Sequence, residues 1–513
     1  MHGYSLFLER RMLHLDPNAK SPFYRQIYEQ IKRDILSGLL PGGTRLTSTR
    51  TLAKDLQAGR NTVENAYAQL VLEGYVAALP GSGYVVTSLR PDLRADAPEI
   101  TEAEADGSVL GKSGTGPYAY NFDYGTLGSW AFPYKIWRNL ISDVLQEAEE
   151  MHHRNPALQS RDELQGDRDL RRQLARHLYR RRGVTCTIDQ IVICNGLQPA
   201  LSSLLRVFPS QWRSVAMENP GYTRARTVFQ ANGMRLCPIP VEEDGLDVAA
   251  LADSPARVVF VTPSRQYPTG RVMSIQKRMA LLEWAAERRG VIIEDDYDSE
   301  YRYKGKPVPS LQSIDRQGRV VYMGSFSKIL SPGLRMGYMV LPDGVLDTFR
   351  YAFAGYKCSV SWLEQKVLAR FMAEGHMEKH IRKMLLLNKK KHDTLVDSIT
   401  AAFGGKVRIH GQDAGLHLLL EFTGGETEAE LVEKAAERGV KVFPGSPLWM
   451  EGLAEGGQKP PASILLGYGT LPDDKIGEAV ALLREAWIDK DVKTGKGKKS
   501  ALRQKGDGGE SHV

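Results

Sequence analysis

The sequence predicts two folds in one chain: a winged helix-turn-helix (α+β) in the first ~90 residues, then a larger α/β domain with a mostly parallel sheet. Three observations support this prediction. Near the N-terminus, apolar residues recur at helical spacing and are followed by the pattern of a glycine-rich hairpin. A stretch poor in aromatic residues comes next. After it, β-like runs alternate with helical patterns. A chain of 513 residues is also too long for one ordinary domain.

The first predicted domain, residues 1–87, contains three helices and a β-hairpin. The first helix, within ~21–38, carries four apolar residues at amphipathic spacing: Tyr24, Ile27, Ile31 and Ile35. Ser48 can cap a short second helix. A third helix, ~60–73, is expected to bury Val63, Tyr67 and Leu70. Apolar stretches on both sides of Pro80-Gly81-Ser82-Gly83 predict the hairpin that forms the wing.

This domain presents candidate DNA contacts at its second and third helices and at the wing. In a helix-turn-helix, the second helix of the motif enters the major groove and offers its N-terminal residues to base edges. Arginine can read guanine bidentately, and glycines let a wing approach a groove closely. The candidate residues are Arg50, Arg60, Asn61, Thr62, Gly81 and Gly83.

Residues 88–117 are rich in Asp, Glu, Ala, Gly and Ser, which predicts a flexible linker. The second domain is assigned to residues 118–490. Its strand-like runs, Ile191–Cys194, Val258–Val261, Val291–Ile293 and Val320–Met323, alternate with helical patterns, which indicates βαβ units. Long helices are expected after ~345, and a smaller α+β portion from ~400 to ~487. Lysines among Gly and Ser in residues 491–513 predict a basic disordered tail.

Composition restricts the class of protein. The hydrophobic content of 42% and charged content of 25% are those of a soluble globular protein. The absence of a long apolar run or a signal-peptide pattern indicates a cytoplasmic protein without membrane contact. A net charge of +7 permits nucleic acid as a partner. The four cysteines lack CxxC spacing, so we expect neither a metal site nor a disulfide framework.

The most informative segment is Gly324-Ser325-Phe326-Ser327-Lys328, because it follows a buried strand. A lysine just past a strand end, flanked by hydroxyls and followed by Arg335, fits a site for pyridoxal 5'-phosphate (PLP). Lys328 would form the Schiff base with the cofactor. Ser325, Ser327 and Arg335 would hold the phosphate.

Other strand ends supply the remaining cofactor contacts. Asp295 follows a strand and is the expected partner of the pyridine nitrogen, and Tyr297 is the expected partner of the ring oxygen. Tyr222 can lie on the ring face. Backbone N–H groups at a helix start are expected to bind the phosphate, from Gly196, Leu197 and Gln198.

These motifs carry a resemblance that covers nearly the whole chain. The N-terminal series, including Ser48-Thr49-Arg50, Arg60-Asn61-Thr62-Val63 and Glu73-Gly74-Tyr75, resembles the GntR-type winged helix. Residues ~118–487 resemble the α/β fold type I PLP-dependent aminotransferases. Together they resemble the MocR/GabR-type transcriptional regulators. The resemblance implies a PLP-bound effector domain, a head-to-tail homodimer, binding to a double-stranded operator and little turnover. It also assigns Arg224 to an effector acid group.

Two departures from the family pattern bear on the ligand. Leu465 stands where aminotransferases and many of these regulators have an arginine that grips the substrate α-carboxylate. Arg161-Asp162-Glu163-Leu164-Gln165-Gly166 lacks the usual tyrosine-glycine opening. A PLP-dependent regulator that senses PLP or an amino compound is therefore favoured. A working aminotransferase with an appended domain, and a cofactor-free dimerisation scaffold, stay open as alternatives.

Overall fold

A computed structural model describes residues 13–17, 19, 21–79, 83–88, 118–125, 127–154, 164–305, 308–450 and 461–488. The chain divides into two compact units, Met1–Gly114 and Thr115–Val513. Four sequence-based expectations fall outside the described residues: the linker beyond Ser88, the basic tail, Gly81, and the first three residues of the 161–166 loop.

The N-terminal unit has the order helix, helix, helix, strand, strand. Its elements are α1 (Phe23–Leu36), α2 (Thr49–Asp55), α3 (Arg60–Leu72), β1 (Val76–Leu79) and β2 (Gly83–Val86). The two strands pair antiparallel, with Val76 opposite Val86 and Leu79 opposite Gly83. The predicted winged helix-turn-helix is confirmed.

The core of this unit shows one error in the sequence-based prediction. Most of the predicted apolar residues are buried, namely Ile27, Ile31, Ile35, Val63, Tyr67 and Leu70. Tyr24, however, is 41% exposed. The buried stripe of α1 begins instead at Ile27 and Tyr28, and the Tyr28 hydroxyl donates to the Glu73 carboxylate at 2.6 Å.

The helix starts follow from local chemistry. Ser48 precedes α2, and its hydroxyl accepts a hydrogen bond from the Thr51 N–H at 3.1 Å, as predicted. Gly59 precedes α3 and has no side chain with which to cap it. The N-terminal N–H groups of α3 therefore receive no side-chain cap from Gly59.

The second unit has a layered α/β arrangement of strands and helices. Its strands are β3 (Tyr120–Asn121), β4 (Ile191–Cys194), β5 (Ser214–Asn219), β6 (Arg235–Glu242), β7 (Gly245–Leu246), β8 (Val258–Val261), β9 (Val291–Asp295), β10 (Val320–Ser325), β11 (Gly337–Val340), β12 (Val407–His410), β13 (His417–Phe422), β14 (Val440–Lys441), β15 (Phe443–Pro444) and β16 (Ser463–Gly467). Its helices are α4 (Tyr134–Arg154), α5 (Arg168–Arg182), α6 (Leu197–Leu205), α7 (Thr223–Ala231), α8 (Val248–Asp253), α9 (Ile275–Glu287), α10 (Asp343–Ala352), α11 (Trp362–Ala373), α12 (His376–Phe403), α13 (Glu428–Glu437) and α14 (Asp473–Trp487).

The main sheet has eight strands in the order β4-β11-β10-β9-β8-β5-β6-β7. The run from β10 to β6 is parallel, whereas β11 pairs antiparallel with both of its neighbours. All four strands predicted from apolar runs are present. The carboxyl ends of parallel strands meet at one edge of a sheet, and the ends of β5, β8, β9 and β10 form the edge where the candidate site lies.

A smaller sheet follows the long helices, as the sequence predicts. Its order is β12-β13-β16-β15, and it packs with α12, α13 and α14 around one apolar core. Val440 in β14 pairs with Tyr120 in β3, which ties this portion to the start of the unit. Among the described residues, no helix is long and apolar enough to cross a membrane, and no cluster of metal-ligating side chains occurs.

Candidate cofactor site and DNA-binding residues

One cavity of about 390 Å³ opens at the carboxyl edge of the main sheet. It brings together every residue for which the sequence suggests a cofactor contact: Gly196, Leu197, Gln198, Tyr222, Asp295, Tyr297, Ser325, Ser327, Lys328 and Arg335. Arg224 and Leu465 also line it. Residues separated by up to about 270 positions along the chain therefore share one cavity.

Lys328 lies just after β10, in the turn that follows Ser325. Its backbone carbonyl accepts a hydrogen bond from the Tyr301 hydroxyl at 2.7 Å, which fixes the turn. Its Nζ atom lies 3.6 Å from the centroid of the Tyr124 ring. Burial lowers the pKa of Lys328 to about 8, although Asp298 and Asp123 favour its charged form. Burial therefore increases the fraction of this amine that is uncharged and nucleophilic near neutral pH.

Asp298 organises the surroundings of Lys328. Its Oδ2 atom accepts hydrogen bonds from the Leu416 N–H at 3.2 Å and from the Tyr124 hydroxyl at 3.4 Å. The Arg265 Nε atom lies 4.0 Å from the same oxygen. Burial raises the pKa of Asp298, and the Lys328 and Arg265 charges oppose that shift. Asp298 thus orients the Tyr124 ring against the amine.

Asp295 is the last residue of β9 and is 6% exposed. Among the described residues, its carboxylate has no hydrogen-bond or ion-pair partner. Burial raises the pKa of Asp295 to about 8, and nearby acids, with Asp296 first, add to the shift. A cationic N–H group placed against this carboxylate would reverse the shift.

The Tyr297 hydroxyl is buried and has no hydrogen-bond partner among the described residues. The Tyr297 ring packs edge-on against Tyr267 at a centroid distance of 5.9 Å, and Tyr222 packs edge-on against the same ring at 5.5 Å. A buried unpaired hydroxyl is costly. The Tyr297 hydroxyl lies at the cavity wall, where a bound ligand could supply the missing hydrogen-bond partner.

The start of α6 and Arg335 lie together at one corner of the cavity. Gly196 precedes α6 with a positive φ of 80°. A Cβ atom at Gly196 would lie 3.0 Å from Arg335 Nη2, and the positive φ itself favours glycine at this position. Arg335 itself has a φ of 48° and no ion-pair partner among the described residues. The first N–H groups of a helix lack internal partners and attract phosphate.

Tyr222 precedes α7, and Arg224 lies in its first turn. The same helix holds the loop that carries Leu448. Arg226 donates from Nη2 to the Leu448 carbonyl at 2.8 Å, and the Gly221 N–H donates to that carbonyl at 2.9 Å. This fixes Leu448 against the cavity. Arg224 is exposed and has no ion-pair partner among the described residues.

The predicted DNA contacts lie on the surface of the N-terminal unit. Arg60, the first residue of α3, is exposed, and its Nε atom donates to Glu64 at 2.8 Å. Asn61 and Arg50 are exposed, Thr62 is partly exposed, and Gly83 opens β2 with a φ of 80°. The Glu64 contact uses only Nε, so the Nη groups of Arg60 make no hydrogen bond or ion pair with another described residue.

Among the residues that were not singled out from the sequence, Tyr124, Tyr267 and Asp298 lie close to Lys328 or Tyr297. Tyr124 comes from a segment about 200 residues before Lys328 and belongs to no motif. Tyr267 lies in the loop that follows β8, and no sequence motif described above includes it. Asp298 follows Tyr297 in the same acidic run, and that proximity was an available signal.

Comparisons with known proteins agree with this architecture. The family described as "Aminotransferase class I and II" matches residues 127–456. The family described as "Bacterial regulatory proteins, gntR family" matches residues 23–86. The kynurenine aminotransferase of Pyrococcus horikoshii, solved in complex with PMP and with kynurenine as substrate, superposes with a TM-score of 0.63. It is 26% identical and covers 72% of this chain and 91% of its own.

Two curated relatives match over nearly the full length. The uncharacterized HTH-type transcriptional regulator YdeL of Bacillus subtilis is 37% identical, over 91% of this chain and 97% of its own. The probable rhizopine catabolism regulatory protein MocR of Rhizobium meliloti is 34% identical, over 93% of this chain and 96% of its own. The resemblance seen in the motifs is confirmed. The chain belongs to the MocR-type HTH transcriptional regulators, in which a GntR-type DNA-binding domain is joined to an aminotransferase-like domain.

Proposed function

We propose that this regulator binds PLP at Lys328 and that the state of this site sets its affinity for an operator. The observation that carries the proposal is the single cavity that unites Lys328, Asp295, Tyr297 and Arg335. The effector is PLP itself or an amino compound that enters the same cavity. Arg224 is available for an acid group of such a compound.

The residues present fit PLP. The unpartnered Tyr297 hydroxyl can bind a ring oxygen, and the unpaired Asp295 carboxylate can accept from a protonated ring nitrogen. The space beside Gly196 that a Cβ would fill lies against Arg335, where a phosphate needs donors. Each polar group of the cofactor thus has a counterpart among the cavity residues.

When bound, PLP supplies an aldehyde carbon that condenses with primary amines with loss of water. Lys328 offers an amine that is partly deprotonated near pH 8. Asp298 and Tyr124 hold that amine in place. Asp295, once it faces a cation, stays ionised and keeps the proton on the ring nitrogen. Tyr222 and Tyr267 line the site with their rings and would limit the access of water to a bound ligand.

The N-terminal unit is proposed to contact the operator through Arg50, Arg60, Asn61 and Thr62, with the wing near a groove. One such unit reads a short site. A homodimer, proposed to be head-to-tail, would join two units and constrain the spacing of two half-sites. A DNA-binding role also requires access to the chromosome and therefore a cytoplasmic location.

Turnover is proposed to be low. Leu465 lines the cavity and cannot pair with a carboxylate, so common α-amino acids have no anchor at that wall. The alternative, a working aminotransferase, predicts steady transamination. A panel of amino and keto acids decides between them, since enzymes typically turn over at about 1–10³ s⁻¹ and a sensor should show no sustained rate.

The full chain tests the proposed function directly. A duplex recovered by selection from random-sequence DNA with PLP-loaded protein serves as the operator. Its affinity is then measured for apo and PLP-loaded protein at fixed salt, with and without added amines. Ligand coupling is typically worth ~1–3 kcal/mol, or roughly 5- to 150-fold in affinity. Equal affinity in every state would refute a sensing role and favour the cofactor-free scaffold.

A further inference from the structure

One wall of the cavity is built from apolar side chains on three neighbouring strands. Leu465 in β16 pairs directly with Leu419 in β13 and with Phe443 in β15. Residues directly opposite each other in antiparallel strands project from the same face of a sheet. Leu419, Leu465 and Phe443 therefore form one apolar row, and Leu465 and Phe443 line the cavity.

The apolar row is part of a larger packed cluster. Leu465 and Leu448 are each 6% exposed and pack with Leu419 and Tyr267. Leu448 is held in place because its carbonyl accepts hydrogen bonds from Arg226 and from the Gly221 N–H. This wall is therefore a fixed surface of the site.

Charge is distributed unevenly around the cavity. Among the described lining residues, the cations are Lys328, Arg224 and Arg335, and none of them lies on β15, β16 or the loop that carries Leu448. Lys441 Nζ lies 5.5 Å from the centroid of the Phe443 ring, but Lys441 does not line the cavity. A carboxylate placed against the cavity side of the apolar row would therefore lose water without contacting a lining cation, which is unfavourable. A hydrocarbon group placed there gains from burial.

We infer that the effector is a primary amine with no carboxylate on its nitrogen-bearing carbon, and that its hydrocarbon part packs on the apolar row. The inference rests on the proposed function, because the amine is expected to bind beside Lys328 and the cofactor. It assigns the apolar row as the element that selects the ligand class.

Matched ligand pairs that differ by one carboxylate test this assignment. PLP-loaded full-length protein is titrated with phenethylamine against phenylalanine, and with pentylamine against norleucine. Binding is followed by calorimetry and by the rise in melting temperature. Each amine is expected to bind at least about tenfold more tightly than its α-amino acid. Equal affinity, tighter binding of the amino acids, or no binding by either member overturns the inference.

Variants at Leu465 locate the effect. Leu465→Arg places a cation in the apolar row and should shift the ratio of amine to α-amino acid affinity at least tenfold towards the α-amino acids. Leu465→Met keeps the row apolar and should leave this affinity ratio unchanged. If Leu465→Arg does not fold, the amine to α-amino acid affinity ratios of the wild type and of Leu465→Met still test the inferred ligand class. Failure of the proposed function is seen separately, as a protein that gains no visible absorption band from PLP.

Discussion

The Nζ atom of Lys328 lies 3.6 Å from the centroid of the Tyr124 ring. A cation above an aromatic face is stabilised by the electron density of the ring. The ring therefore opposes the burial that lowers the pKa of Lys328 to about 8. Asp298 acts in the same direction and also binds the Tyr124 hydroxyl.

Replacing Tyr124 by leucine should lower the pKa of Lys328 further. A contact of this kind is worth about 0.5–2 kcal/mol, or roughly 0.4–1.5 pKa units. The measurement is the rate at which apo protein gains visible absorption on adding PLP, as a function of pH. Its midpoint should move down in Tyr124→Leu and stay near wild type in Tyr124→Phe, which keeps the ring. An unchanged midpoint in Tyr124→Leu would show that the contact has no electrostatic role.

The cavity, rather than a low pKa alone, should select Lys328 for cofactor attachment. Lys391 provides a matched comparison, because burial also lowers its pKa to about 8. Its Nζ atom donates to the Gly469 carbonyl, and Lys391 does not line the cavity. After borohydride reduction of PLP-loaded protein, mass spectrometry should find the label on Lys328 and not on Lys391.

The two lysine variants complete that test. Lys328→Ala should lose the visible band, whereas Lys391→Met should keep it. A label shared equally by both lysines would contradict the assignment of the cavity.

The sequence could predict most of this site because its residues follow strands of one sheet. Asp295 and Ser325 end neighbouring parallel strands, so their proximity follows from the βαβ pattern. The contact of Tyr124 with Lys328 could not be predicted in this way, because it depends on how the start of the unit packs against the smaller sheet. Tyr24 was misplaced for a related reason, since helical spacing does not show where a buried stripe begins.

Asp295→Asn should stabilise the apo protein in a pH-dependent manner. The carboxyl has an ordinary pKa of 3.8 when unfolded and about 8 when folded, because of burial. Ionising it in the folded state is therefore unfavourable. The penalty is absent below about pH 4, grows as pH rises, and is complete above about pH 8. The melting temperature of Asp295→Asn should exceed that of wild type by a few degrees at pH 8 and match it near pH 4.

The same variant should lose most of the stabilisation that PLP provides, because the ring nitrogen loses its partner. Glu218→Gln is the matched control. Burial raises the pKa of Glu218 to about 7, yet Glu218 binds Thr262 and does not line the cavity. Glu218→Gln should keep the PLP-induced rise in melting temperature. Loss of the rise in both variants would indicate a general electrostatic effect.

Tyr297→Phe and Tyr301→Phe should differ in sign in the apo protein. The Tyr297 hydroxyl is buried without a partner, so its removal should be neutral or stabilising. The Tyr301 hydroxyl donates to the Lys328 carbonyl, so its removal should cost about 0.5–1.5 kcal/mol. Chemical denaturation measures both. In PLP binding the order of the two effects should reverse, because Tyr297→Phe should lose more affinity for PLP than Tyr301→Phe. Equal destabilisation of the apo protein by both changes would show that Tyr297 already has a partner.

Arg60→Ala should weaken operator binding by about 1–3 kcal/mol and relax specificity, if Arg60 reads a base. Arg25→Ala is the matched control, because Arg25 is 64% exposed against 65% for Arg60, and each arginine faces a glutamate four residues on. Arg25 lies on α1 rather than on α3, so its loss should reduce affinity little.

Glu64→Gln should instead raise affinity for the operator, since it frees the Arg60 guanidinium. Binding to the selected operator and to a scrambled duplex, measured at several salt concentrations, separates base reading from phosphate contact. Equal losses for Arg60→Ala and Arg25→Ala would assign the effect to net charge and remove α3 as the recognition helix.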